Sequence, residues 1–529
     1  MSQKRPLPPS PRTPLLASPQ TPLLNRETPQ PSPTKAHPLE WKTIAAIISG
    51  TIASFVAAAD STITSTLSST IATQFQSFAI ISWLGAGYLI GLAATQPLTG
   101  KLSDIFGRKA SFIFATMIFT LGNLTCGFSG SRNMTILGRV IAGVGGGGCT
   151  SIATFISSDN IPPRYRGIWH SVSIMAYTGG MGVGAVAGGV INDMIGWRWA
   201  FIAIAPISIC AAIGVGAFLP QEEIKEDTSL RKQLRRIDYG GSITLVSSLA
   251  LFLFFLNGEG HKSVALLPLG VLFLAMFIMF ELRVSEPIIP LPLLRTPTLL
   301  AAYLCTGFMS MTMYTLMYYV PLYLQLRGHS TSQTGFLLLF EPIGGAIGST
   351  TVGVITSATG KYSIPKVVQP FLIVLGSAGF VTLSMTTSSV LPPIYQFVYG
   401  FGYGGFLTTV LLASLSAVPH ELQARSTSTL LTFRSVGSTI GLSVAGILFR
   451  TRLTDQTAGQ PEQTQLSYLQ FRNLHSTDNQ ESPQNAFMNA LHGTFQLALA
   501  FAISGFICAL RIKNYKLRST LEDNEDTVV

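Results

Sequence analysis

The sequence predicts an all-α membrane protein of fourteen transmembrane helices, arranged as two six-helix bundles with two extra helices between them. Three observations point there. Apolar runs of about 20 residues, the length a helix needs to cross a bilayer, recur from Trp41 almost to the C-terminus. Only 11% of residues are charged and 47% are hydrophobic, with mean hydropathy +0.43; a soluble domain carries roughly a quarter charged residues, so a soluble enzyme is excluded. A shift of the chain by 257 residues superposes Gly143, Gly145, Gly147 and Gly148 on Gly400, Gly402, Gly404 and Gly405. The same shift brings Pro162 onto Pro419, Gly180 onto Gly437, Gly184 onto Gly441 and Gly189 onto Gly446. Parallel repeats of this kind mark a two-half transporter that holds its solute between the halves near the membrane midplane.

In chain order, residues 1–41 read as a disordered cytosolic tail, with eleven prolines and no apolar period before residue 41. The tail has no signal-peptide core after Lys4 and Arg5. Ser-Pro or Thr-Pro pairs at Ser10, Thr13, Ser18, Thr21, Thr28 and Ser32 offer sites for kinases, and Leu15-Leu16 and Leu23-Leu24 offer contacts for sorting machinery. Helices are expected at 43–63, 79–99, 110–130, 134–157, 168–190 and 199–219, forming a first bundle over 42–220. A linker over 221–297 carries the two extra helices at 238–256 and 264–283. The second bundle, 298–511, holds helices at 298–324, 334–357, 366–385, 391–418, 426–449 and 488–511, with a lumenal loop at 451–487 and a cytosolic tail from 512 to 529.

Charge placement fixes the expected orientation. An even number of spans puts both termini on one side, and with that side cytosolic the cytosolic segments hold 25 Lys and Arg against seven opposite. This asymmetry accounts for the net charge of +10 without nucleic acid as a partner. Cys126, Cys149, Cys210, Cys305 and Cys508 all fall in apolar runs without paired spacing, so they read as packing residues, with no disulfide framework and no metal site. No phosphate-binding loop or metalloprotease motif is present, so no cofactor is expected, and Gly145 to Gly148 lie within a membrane helix.

Between the second and third helices the chain reads Gly100-Lys101-Leu102-Ser103-Asp104-Ile105-Phe106-Gly107-Arg108-Lys109. Gly100 and Gly107 permit a tight reversal, while Asp104 and Arg108 can pair with each other or with a helix terminus to latch this face. Leu137-Gly138-Arg139-Val140 to Gly145 places an arginine inside a membrane helix. Glycines 180, 184, 188 and 189 give a helix face that a neighbouring backbone can approach and slide along. The first loop resembles the signature loop of the major facilitator superfamily, and the Arg139 segment resembles that family's fourth-helix motif. Gly180 to Gly189 resembles its antiporter motif, with Gly184-Ala185 where Gly-Pro is usual. Together with Ala58-Ala59-Asp60-Ser61 and Gly196-Trp197-Arg198, these elements resemble the fourteen-helix drug:proton antiporter 2 family, and Ser82-Trp83-Leu84 with Gln96-Pro97-Leu98 looks most like fungal vacuolar basic amino acid transporters. The resemblance implies exchange of cytosolic lysine, arginine or histidine for lumenal protons at the vacuolar membrane. An exporter of drugs or toxins at the plasma membrane is the alternative.

Intramembrane charges are costly and by default mark pathways. Asp60 is expected in the half of its helix nearer the non-cytosolic side, serving proton coupling or substrate binding, or else a helix-pairing hydrogen bond. The resemblance also puts it at the family's acidic position. Arg139 is its expected permanent counter-charge. Glu341, followed by Pro342, could attract a cationic amine, or could be a helix-end acid stabilised by the dipole. Trp83 and Tyr88 are cavity candidates that could stack on a cation, with interface anchoring an equal account of Trp83. Arg434, His170 and His492 read as packing or interface residues. The expected partners are therefore a small cationic solute, protons and the lipid bilayer.

Overall fold

The computed structural model describes residues 41–161, 166–220, 239–257, 266–284, 291–456 and 483–514. The N-terminal tail with its kinase and sorting motifs, most of the 451–487 loop and the C-terminal tail from 515 lie outside the described residues. All regular structure among the described residues is helical. The first six helices are α1 (Trp41–Gln74), α2 (Ala79–Phe106), α3 (Arg108–Gly127), α4 (Arg132–Asn160), α5 (Arg166–Ile195) and α6 (Trp197–Phe218). Then come α7 (Tyr239–Asn257), α8 (Leu266–Arg283) and the single turn α9 (Leu291–Leu294). The remainder are α10 (Pro297–Leu326), α11 (Thr331–Leu337), α12 (Phe340–Thr359), α13 (Pro365–Val381), α14 (Leu391–Ser416), α15 (His420–Gln456) and α16 (Pro483–Leu510).

Every expected helical segment coincides with a helix except 334–357, which is split between α11 and α12, and length separates the rest. Twelve stretches are long and apolar enough to cross a membrane, with Thr331–Thr359 counted as one across α11 and α12. The segments expected at 238–256 and 366–385 appear as α7 and α13, whose apolar parts, Gly240–Phe252 and Pro365–Val381, are shorter. In a bilayer only internally hydrogen-bonded backbone is tolerated, which is why the apolar runs become helices.

Two boundaries depart from expectation for identifiable reasons. Helix α1 runs on to Gln74 through Ser61-Thr62-Ile63-Thr64-Ser65, because these hydroxyls bond back to the helix carbonyls: Thr64 to Asp60 at 2.8 Å and Ser65 to Thr62 at 2.9 Å. Asp60 therefore sits just past the middle of its helix, still in the second half. Helix α2 likewise continues through Gly100 to Phe106, so the reversal into α3 rests on Gly107 alone, at φ +83°. Gly100 is thus a helical residue, with only Phe155 near where a Cβ would point.

Helices α1–α6 pack among themselves, and α10–α16 pack among themselves. The two groups meet where α2 crosses α15, where α5 crosses α11 and α12, and where α1 touches α10. The 257-residue repeat is also a repeat of packing. A Cβ on Gly143 or Gly147 would strike α2 at Tyr88 or Leu92, and one on Gly400 or Gly404 would strike α12 at Glu341 or Gly345. Gly145 and Gly148 face Phe119 and Ala115 of α3, as Gly402 and Gly405 face Ile373 and Gln369 of α13. Hairpin α7–α8 lies to one side, with α7 touching both α2 and α15.

Candidate functional site: a buried ion pair in a tyrosine-rich centre

Asp60 in α1 and Arg139 in α4 are both fully buried. Arg139 Nη1 donates to Asp60 Oδ1 at 2.8 Å and to Oδ2 at 2.9 Å. The guanidinium lies 4.6 Å over the Tyr88 ring and 5.8 Å from the Phe201 ring, and its Nε faces the Leu84 carbonyl at 3.4 Å. Sequence places these groups far apart; glycine brings them together. Gly184 sits so tightly on α1 that an added Cβ would come 2.5 Å from Ala59 Cα, and Gly180 and Gly188 meet Phe55 and Ile63 of the same helix. Gly143 does the same against Tyr88, seating α4 on α2. The fourth motif glycine, Gly189, packs instead on Thr331 and Ser332 of α11. Thus three of the four line the α1–α5 seam and one lines the seam between groups.

Beyond the pair lies a set of tyrosines. Tyr318 of α10 is within electrostatic reach of both Asp60 and Arg139, and Tyr177 of α5 is within reach of Tyr88. Tyr177 also lies under Arg434 of α15, whose guanidinium carbon is 5.7 Å from its ring centroid. Tyr314 and Tyr403 complete the surroundings of Arg434. Tyr403 and Tyr399 are in turn within reach of Glu341. Of the packing or interface roles expected for Arg434, this setting is an interface one: it faces tyrosines from both helix groups. No single stretch of sequence carries that signal, since positions 177, 314 and 403 lie on three helices.

Glu341 occupies the first turn of α12, beside the break between α11 and α12. Pro342 has no N–H to offer the Leu338 carbonyl, which ends α11 and starts a new helix inside one apolar stretch. The Glu341 backbone is held against Gly400 of α14. Among the described residues its carboxylate makes neither a hydrogen bond nor an ion pair.

Trp83 does not join this centre. Its ring packs 5.0 Å from that of Phe254 in α7, whereas Tyr88, the other aromatic candidate, does join it. His492 lines a recess with Arg452 and Asp455 at the far end of α15 and α16.

At the Gly107 turn, Arg108 Nη1 meets Asp104 at 2.7 Å and Arg108 Nε meets Asp159 of α4 at 3.0 Å. The same guanidinium contacts Ser103 Oγ and lies 5.0 Å from the Phe155 ring. The helix-terminus partner left open by the sequence is therefore Asp159. Hydrogen bonds between the two helix groups lie mostly at the opposite ends of the helices. There Gln325 of α10 donates to the Thr66 carbonyl at 3.0 Å and pairs with Ser69. Asp193 of α5 accepts from Ser332 N at 2.9 Å and Ser332 Oγ at 2.5 Å. Nearer the Gly107 face, Ser435 donates to Gln96 at 2.8 Å.

Comparison with known proteins follows this geometry. Residues 50–442 match the Major Facilitator Superfamily. The chain is 31% identical over 493 residues to the "Multidrug resistance protein fnx1" of Schizosaccharomyces pombe, covering 89% of this chain and 92% of that protein. It is 28% identical over 497 residues to the "Vacuolar membrane amino acid uptake transporter fnx2" of the same organism, covering 90% and 85%. Among solved structures, an inward-facing, unoccupied bacterial homolog of the human lysosomal transporter Spinster superposes with a TM-score of 0.60 at 16% identity, over 89% of this chain and 98% of that one.

Proposed function

This chain belongs to the major facilitator superfamily, a multi-pass membrane transporter and not an enzyme, and on that premise we propose that it is a proton-coupled antiporter carrying basic amino acids from the cytosol into the vacuole. The observation that carries the reading is the Asp60–Arg139 pair, fully buried at midspan. A guanidinium does not give up its proton, so any exchange falls to Asp60. With Asp60 ionised the pair is neutral and the centre accepts a cation. Once Asp60 takes a proton from the acidic lumen, Arg139 is left with an uncompensated charge that expels a cation. Proton and cationic solute therefore exclude one another, which is the electrostatic requirement of antiport. Glu341, lacking a partner among the described residues, serves the cation directly.

In this reading the Gly107 face is cytosolic, both termini are cytosolic, and α7 and α13 count as spans, giving fourteen helices in two six-helix bundles with the pair α7–α8 between them. The Arg108, Asp104 and Asp159 cluster latches the cytosolic face, and the glycine seams let the bundles rock. The likeness to the vacuolar membrane amino acid uptake transporter fnx2 supports the vacuolar membrane and amino acids. A second reading, export of lipophilic cations at the plasma membrane, draws support from the tyrosine-rich centre and from the likeness to the multidrug resistance protein fnx1.

The test is uptake of labelled lysine, arginine and histidine into ATP-energised vacuolar vesicles. Wild-type protein should accumulate them, a protonophore should collapse the accumulation, and Asp60→Asn, expressed at wild-type level, should abolish it. Normal protonophore-sensitive uptake by Asp60→Asn would overturn the coupling role. Export of lipophilic cations with no amino acid uptake would select the second reading.

A further inference from the structure

The 257-residue offset that superposes Gly180 on Gly437 also superposes Tyr177 on Arg434, and these two residues touch, with the guanidinium 5.7 Å from the ring centroid. Repeats related by a rotation bring equivalent positions into contact only near the rotation axis. Arg434 therefore lies close to the axis between the two helix groups, where Ser435, its neighbour, bonds across to Gln96. At this axis one repeat contributes an aromatic ring and the other a full positive charge.

The contrast with Arg139 is instructive. That arginine has a resident carboxylate in bidentate contact, whereas among the described residues no carboxylate pairs with Arg434; its surroundings are Tyr177, Tyr314 and Tyr403. A charge in a membrane span needs a counter-charge, and rings and hydroxyls supply only part of it. Tyr403 lies within electrostatic reach of both Arg434 and Glu341, so the centre has a positive and a negative pole around one tyrosine.

We propose that Arg434 binds a carboxylate of the transported solute, so that the site selects molecules bearing an acid group as well as an amine, with the α-carboxylate at Arg434 and the cationic group towards Glu341. The inference rests on the amino acid reading above and sharpens it: a cation without a carboxylate should be a poor ligand.

Matched pairs that differ only by the carboxylate provide the probe: lysine with cadaverine, arginine with agmatine, histidine with histamine. Binding is measured on the purified full-length protein by calorimetry, with thermal melting as a check on folding. Wild-type protein should prefer each amino acid over its decarboxylated partner by about 10- to 150-fold, the range of one charge-assisted hydrogen bond. Arg434→Gln should bring that ratio close to one while leaving amine binding intact or stronger, because a repelling charge is gone; a packing role would instead weaken both ligands together. Arg434→Lys should keep part of the preference. An unchanged ratio in Arg434→Gln, or equal wild-type binding of amino acid and amine, would overturn the subsite while leaving the basic amino acid reading in place. If Arg434→Gln does not fold, Arg434→Lys decides: a retained preference supports the subsite, and amine binding without preference refutes it. Wild-type protein that binds neither member of any pair refutes the amino acid reading and the subsite together.

Discussion

A single nitrogen of Arg139 holds both oxygens of Asp60, which leaves the other terminal nitrogen, Nη2, buried without a hydrogen-bond partner. An idle donor beside a carboxylate gives the pair a second bonding arrangement within reach of a small side-chain rotation. Glu341 poses a sharper question, since among the described residues it has no partner to leave. In the proposed reading the Glu341 carboxylate gives a basic amino acid a charge-assisted hydrogen bond of about 1.5–3 kcal/mol. Glu341→Gln should therefore raise the apparent KM for lysine and arginine about 10- to 150-fold, and affect any neutral solute less. Radiolabelled uptake kinetics read this directly, and equal loss for charged and neutral solutes would put Glu341 in the proton path or the fold. The sequence exposed Asp60, Arg139 and Glu341 because an ionised residue inside an apolar run is conspicuous. It hid the setting of Arg434, because the tyrosines around that residue come from α5, α10 and α14 and only packing decides which faces meet.

Helix seams follow the glycines closely. Gly180, Gly184 and Gly188, spaced by four, let α5 lie directly on α1, close backbone approach being what small residues provide between membrane helices. Gly184→Leu should cost about 1–3 kcal/mol through overpacking and slow transport, while Gly179→Ala, where the nearest atom to an added Cβ is 3.8 Å away, should be tolerated. Thermal melting in detergent and transport rate in vesicles check the pair of variants; equal behaviour of the two would remove the seam argument. These glycines were legible in sequence as a pattern. Their partners were not, nor was the extension of α1 to Gln74, because a run of serines and threonines reads as polar until each hydroxyl is seen to bond its own helix.

The molecule as a whole repeats one packing unit twice. That symmetry was legible from the 257-residue offset, whereas the span count was not settled by composition, since α7 and α13 are apolar but short. Topology tests the proposed fourteen spans: in sealed vacuolar vesicles with the cytosolic face outward, tags at both termini should be cut by added protease, and a tag between Thr454 and Ser482 should be protected in the lumen. Protease protection in sealed vesicles reads the outcome, and a reversed label breaks the count.

Hairpin α7–α8 has a bearing on how a solute arrives. Leu245 and Leu249 of α7 and Phe277 of α8 pack with Ala93 of α2 and Val436 of α15, along the seam where α2 of one helix group crosses α15 of the other. A solute dissolved in the lipid leaflet meets a wall of protein there instead of a crack between helices. On the transporter reading proposed above, this packing closes lateral entry between α2 and α15. A lipophilic molecule would instead meet the other seam between the groups, where Met175 of α5 and Ile347 and Val354 of α12 line an apolar groove. The proposed amino acid solute, being water-soluble, would need neither side door and would enter from the aqueous face.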